Sequence, residues 1–163
     1  MDLSEDYKEV IFIGLNPSLS NERFTDNTTR KIIKISRSHE YGKVRIINLF
    51  GLISKSPKLL SSHNDPIGYL NNKIINKNLK YWSKSINCHL WIGWGNNGNF
   101  LERNKYLLRR IRSYLSIKNE NFKNSVGPLY IKMTKDFNPM HPLYCSNNTL
   151  LKEFTFPKIN NKK

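Results

Sequence analysis

Four short apolar runs, each leading into a polar or Gly/Pro-rich loop and then a segment of helical spacing, constrain the fold of this chain more than any other feature. Val10-Ile11-Phe12-Ile13, ending at Gly14, is apolar at consecutive positions, as a parallel strand covered on both faces must be. Val44 to Phe50, Cys88 to Gly93 and Leu129 to Met133 repeat the pattern, which places strands near 9–14, 44–49, 88–93 and 129–133. Between them, Asp26-Asn27-Thr28-Thr29 offers helix N-caps ahead of Ile32, Ile33, Ile35 and Tyr41. Leu70, Ile74, Ile75, Leu79 and Trp82 recur helically between Gly68 and Lys84. A third helix is expected from Phe100 to Leu115, with Leu107, Leu108 and Ile111 inward and Arg103, Arg109, Arg110 and Arg112 outward. Alternation of this kind implies right-handed βαβ crossovers: an α/β, three-layer αβα sandwich around a four-stranded parallel sheet. A length of 163 residues suits one domain, here 1–157, with a basic tail at 158–163.

The chain carries 27 Lys and Arg against 12 Asp and Glu, a formal charge of +15. Such a surface attracts polyanions, of which nucleic acid is the usual one. A composition heavy in Lys, Asn and Ile, as AT-rich genomes produce, gives the same charge without any partner. Cys88 and Cys145 match neither a metal-ligand spacing nor a disulfide framework, which points to a reducing compartment. The first eight residues are acidic and polar, unlike a secretory signal, and no apolar stretch has the length of a membrane span. The expectation is a soluble, cytoplasmic monomer without metal or cofactor.

In open α/β sheets, ligands bind beyond the carboxyl ends of the strands. That rule selects Gly14-Leu15-Asn16-Pro17-Ser18, then Asn48-Leu49-Phe50, then Trp94-Gly95-Asn96-Asn97-Gly98, then Thr134-Lys135 with Asn138 to Leu143. Gly14 lets backbone approach a ligand. Asn16, stiffened by Pro17, can orient a water or hydrogen-bond a base. Asn48 offers a donor and an acceptor, matching the Watson–Crick edge of a pyrimidine. His141, near two prolines, can stabilise charge on a leaving base, and Phe24 or Phe50 can stack on a flipped base. Each has a plainer explanation: Asn16-Pro17 as a turn, Asn48 as a strand-end cap, Trp94-Gly95 as core plus turn, His141 as a solvated loop residue. The phosphate-loop, dinucleotide and nucleophile-elbow motifs are absent, as is a paired-carboxylate site.

Together these segments resemble a known superfamily. Gly14-Leu15-Asn16-Pro17 is similar to the Gly-Ile-Asn-Pro-Gly motif of mismatch-specific uracil and thymine DNA glycosylases, whose Asn positions the attacking water; Ser18 stands where that motif has its last Gly. Ile46-Ile47-Asn48 resembles the segment carrying the base-recognising Asn, and Leu90 to Gly95 their apolar third strand ending in Trp-Gly. His141-Pro142-Leu143 resembles the start of their late His-Pro-Ser motif, with Leu143 departing from it. A closer resemblance is to a bacterial and phage family, domain-of-unknown-function family 1643. It shares Gly14 to Ser18, Asp26-x-Thr28-x-Arg30, Asn48-Leu49-Phe50, Asp65-Pro66, Trp94-Gly95-Asn96, Thr134-Lys135-Asp136 and His141 to Tyr144, in order, over roughly residues 9–145.

The resemblance implies a uracil-DNA glycosylase-like sheet of order 2-1-3-4 and hydrolysis of an N-glycosidic bond of a damaged or modified base. In that scheme Asn16 orients water, Asp26 is a candidate base, and His141 stabilises the leaving anion. Gly14, Leu15, Pro17, Ser18, Phe24, Asn48, Phe50, Trp94 and Asn96 surround the base. Arg30, Lys135, Arg103 and Arg109 contact phosphates. The alternative is a module that binds a nucleotide or modified base without cutting it, because a fold does not fix a function.

Overall fold

The computed structural model describes residues 7–17, 26–54 and 56–156. Ser18, Phe24 and the tail at 158–163 lie outside the described residues. The elements run β1 (Glu9–Gly14), α1 (Asn27–Ser38), β2 (Lys43–Asn48), α2 (Asn71–Ser83), β3 (Cys88–Ile92), α3 (Arg103–Asn121), β4 (Leu129–Tyr130) and β5 (Lys152–Glu153).

The sheet has the order β2-β1-β3-β4-β5. The first four strands pair in parallel and β5 pairs antiparallel to β4, so the sheet is five-stranded and mixed, not four-stranded and all parallel. β1 is an interior strand buried along its whole length, which is why Val10 to Ile13 are continuously apolar; Glu9, at its start, is buried against Arg45 and Tyr81. Ile11 and Ile13 point to the core formed with α2 and α3, around Ile75, Leu79, Trp82, Leu107 and Ile111. Val10 and Phe12 point the other way, to Ile32 and Ile35 of α1. Alternation along one strand thus builds two cores, one per face, with helices on both.

Two expected elements are corrected. β4 ends at Tyr130 instead of running to Met133. Beyond it the chain doubles back: Met133 bridges Pro139 antiparallel, Thr134 N–H donates to Asn138 O at 2.8 Å, and Met140 N–H donates to Lys132 O at 2.9 Å. The third helix begins at Arg103, not Phe100, because Leu101 and Glu102 hold left-handed φ angles of 50° and 52°. Arg103, expected outward, is 3% exposed. Among the described residues, no helix is long and apolar enough to cross a membrane.

Candidate functional site

A cavity of about 1240 Å³ opens at the carboxyl ends of the parallel strands, where the topology places ligands. Asn16, Asn48, Trp94 and His141 all border it, as do Gly14, Leu15, Pro17, Asp26, Asn96 and Lys135. The structure thus brings together most of the residues singled out in the sequence, from four separate loops.

Each side chain is held in a specific way. Asn16 Nδ2 donates to Ser54 O (3.1 Å) and Pro17 O (3.2 Å), which braces the loop after β1. That fixes the amide and leaves its Oδ1, which accepts no hydrogen bond among the described residues, to receive one. Asn48 is the last residue of β2. Asn71 Nδ2 clamps its backbone, donating to Asn48 O (3.1 Å) and Leu49 O (2.8 Å). The Asn48 side-chain amide makes no hydrogen bond among the described residues. It lies against Gly14, where an added Cβ would sit 2.8 Å from Asn48 Oδ1 and 2.9 Å from the Phe12 ring. Only glycine lets Phe12 and the Asn48 amide approach the end of β1 this closely.

His141 caps the 3-10 turn Pro142–Tyr144: Leu143 N–H donates to its Nδ1 at 3.3 Å. Because Nδ1 accepts, the proton of the neutral ring belongs on Nε2. Burial lowers the imidazole below its ordinary range, and the Asp26 carboxylate opposes this. Asp26 is the N-cap of α1, accepting from Thr29 N–H (2.8 Å) and Thr29 Oγ1 (3.3 Å), and it borders the cavity.

Trp94 is core more than platform, at 1% exposure; its Nε1–H donates to Asn138 Oδ1 at 3.2 Å. Asn138 was not singled out in the sequence. Fully buried, it also accepts from Asn104 Nδ2 (3.3 Å) and donates through Nδ2 to Asp136 O (3.1 Å). It therefore locks the loop after β4 to the loop after β3. Thr134 helps, its Oγ1 donating to Asn96 Oδ1, so the Asn96 amide oxygen is engaged within the protein. Gly95, at φ +74°, turns the chain so that its N–H reaches Pro139 O at 2.8 Å.

Several expected contacts fall elsewhere. Phe50 is fully buried in the α2/α3 core, tilted against Phe100 with centroids 5.8 Å apart, and cannot stack on a ligand. Arg103 is an internal pin: Nε and Nη2 donate to Leu49 O (3.1 and 2.8 Å), and Nη2 to Asn72 Oδ1 (2.8 Å). Arg109 is exposed on α3 and does not border the cavity. Arg110 is tied to Asn76 Oδ1 at 2.8 Å. Arg30, expected at a phosphate, borders a smaller groove beside the cavity. Tyr144 is an aromatic on the cavity's edge, 79% exposed, with its ring centroid 6.3 Å from that of His141. Phe12 reaches the cavity floor.

No curated protein and no solved structure matches this chain. One family does, over residues 2–143, a span that takes in every loop around the cavity. The chain belongs to the family described as "Protein of unknown function (DUF1643)".

Proposed function

We propose that this protein is a uracil-DNA glycosylase-like enzyme that hydrolyses the N-glycosidic bond of a damaged or modified base in nucleic acid. The observation that carries the reading is the convergence on one cavity of an Asn48 amide with no hydrogen bond among the described residues, a fixed Asn16 carbonyl oxygen, the Asp26 carboxylate and a His141 whose neutral form carries its proton on Nε2. The parallel order β2-β1-β3-β4 with helices on both faces supports the superfamily placement.

In this mechanism Asn48 reads the edge of the base and Tyr144 takes the stacking role. Asn16 Oδ1 accepts a hydrogen bond from the attacking water and aims it at the anomeric carbon. As the carbon–nitrogen bond breaks, its electron pair leaves with the base, and His141 Nε2–H donates to the resulting anion. The water's proton passes to Asp26, whose carboxylate borders the cavity. The products are the free base and an abasic sugar.

The cavity is larger than the usual range of about 300–1,000 Å³ for small-molecule sites, so it has room for a nucleoside with its phosphate as well as the base. That observation equally suits a module that holds a nucleotide without cutting it. The deciding experiment incubates the protein with single-stranded and duplex oligonucleotides carrying uracil, hypoxanthine or hydroxymethylated bases, followed by alkali. Strand breaks that vanish in Asn16→Ala while affinity persists support the enzyme, since water positioning is felt only in the transition state. Asn48→Ala should change which base is cut. Thermal stabilisation by a nucleotide, with no breaks on any substrate, replaces the enzyme by the binding module.

A further inference from the structure

Among the described residues, the charged side chains at the cavity wall are Asp26, Asp136, Lys132 and Lys135, two of each sign. Beside it, sharing Leu143, lies a second groove of about 370 Å³ between α1 and the segment after His141. Its charged residues are all cations: Arg30, Lys31 and Lys34. With Asn27 they follow the spacing i, i+3, i+4, i+7, which puts all four on one face of α1. None of the three cations belongs to an ion pair among the described residues.

Lys31 has a second task. Its Nζ donates to Cys145 O (2.8 Å) and Asn147 Oδ1 (2.9 Å), bracing the far wall of the groove. Arg30 and Lys34 are exposed. A charge-balanced chamber that opens beside an all-cationic groove fits one ligand chemistry: an uncharged base and sugar in the first, phosphodiester in the second.

We propose that the groove between α1 and the His141–Asn147 segment carries the phosphodiester backbone of the nucleic-acid strand whose base occupies the cavity. Arg30 and Lys34 make the phosphate contacts, and Lys31 holds the wall. This rests on the base-site reading above; it keeps Arg30 of α1 on the phosphate path and drops Arg103, which is internal, and Arg109, which borders neither the cavity nor the groove. The strand then passes the His141 turn, so that Leu143 and Tyr144 lie at the boundary between backbone and base.

The test is fluorescence anisotropy of a labelled DNA duplex of about 20 base pairs, measured from 50 to 300 mM salt, with wild type, Arg30→Gln/Lys34→Gln and Lys73→Gln/Lys77→Gln. The last pair removes equal charge from the exposed side of α2. Loss of two phosphate contacts should reduce the log–log salt slope by about 1.8 and weaken binding about 60-fold at 0.1 M salt. The α2 pair should shift both only slightly. Because Arg30 and Lys34 are exposed, the melting temperature of that variant should stay near wild type and show that folding is intact. If the duplex binds but both double variants change the slope alike, the groove assignment is overturned and the base-site reading stands. If wild type binds neither this duplex nor its separate strands at any salt, both fall together.

Discussion

Replacing Arg103 by Met separates a structural arginine from a phosphate-binding one. The guanidinium makes three hydrogen bonds, two to Leu49 O and one to Asn72 Oδ1, at 2.8 to 3.1 Å, and is 3% exposed. Bonds from a charged donor are worth about 1.5–3 kcal/mol each, so the gross loss is about 4.5–9 kcal/mol. Removing the charge also recovers its burial cost, several kcal/mol, and Met refills the volume of the stem. Leu49 O keeps its bond from Asn71 Nδ2 at 2.8 Å, so it is not orphaned. The net expectation is a loss of about 3 kcal/mol, read from urea denaturation at unchanged m-value. For a domain of this size that lowers the thermal midpoint by about 6–12 °C. The salt slope of DNA binding should not move, because the side chain points inward. A stability change below about 1 kcal/mol with a reduced slope would refute the internal-pin assignment and restore Arg103 to the phosphate path.

On the proposed mechanism, Gly14→Ala should reduce binding and cleavage more than it reduces stability, because its Cβ would sit 2.8 Å from Asn48 Oδ1 and displace the amide assigned to base reading; thermal melts and cleavage assays check this together. Burial pushes both His141 and His89 down, so protonation opposes folding: stability is complete above the ordinary histidine value of about 6.5 and is lost as pH falls below it. Urea midpoints measured from pH 8 to 5 should decline, and a His141→Gln/His89→Gln variant should show a shallower decline; an equal one refutes the assignment. The Cys88 thiol, 1% exposed and pushed up to about 12 by burial, should resist a thiol reagent in the folded protein and react only on unfolding, as a timed titration would show.

What the sequence disclosed follows burial. β1 was legible because both faces are covered, which leaves Val10 to Ile13 apolar without a break. The cavity was legible because parallel strands deliver their following loops to one rim, whatever those loops contain. β5 was not: Lys152-Glu153 is a polar two-residue edge that exists only because the returning chain meets β4, with Phe154 N–H donating to Pro128 O at 2.7 Å. Arg103 was misread although the spacing carried a signal. Positions 103, 107, 111 and 118 share one buried stripe, and the basic residues at its ends pin backbone carbonyls. Lys118 does so with bonds to Trp82 O (2.9 Å), Ser85 O (2.7 Å) and Cys88 O (3.1 Å). A run of arginines suggested a solvated face; helical period assigns Arg103 to the core. Phe50 failed for a related reason. It follows the strand by two residues, yet its side chain turns to the α2/α3 core, and only tertiary packing decides that.

The charge state of His141 connects fold to chemistry. An imidazolium at the cavity wall would attract any anion, including the phosphates of unmodified nucleic acid, and would hold them in the ground state. Such uniform binding does not raise the rate of bond breaking. A neutral imidazole, held so by burial and oriented by the Leu143 N–H, has little attraction for a bound neutral base and gains most when negative charge appears on it. In the proposed mechanism the attraction for polyanions then lies elsewhere, and the cations of α1, in no ion pair among the described residues, border the neighbouring groove. On this account Asp26 must remain a carboxylate while His141 remains neutral. Protonation of His141 at low pH should therefore strengthen anion binding in the cavity while abolishing turnover. Opposite pH trends for affinity and cleavage would support that division of labour, and parallel trends would contradict it.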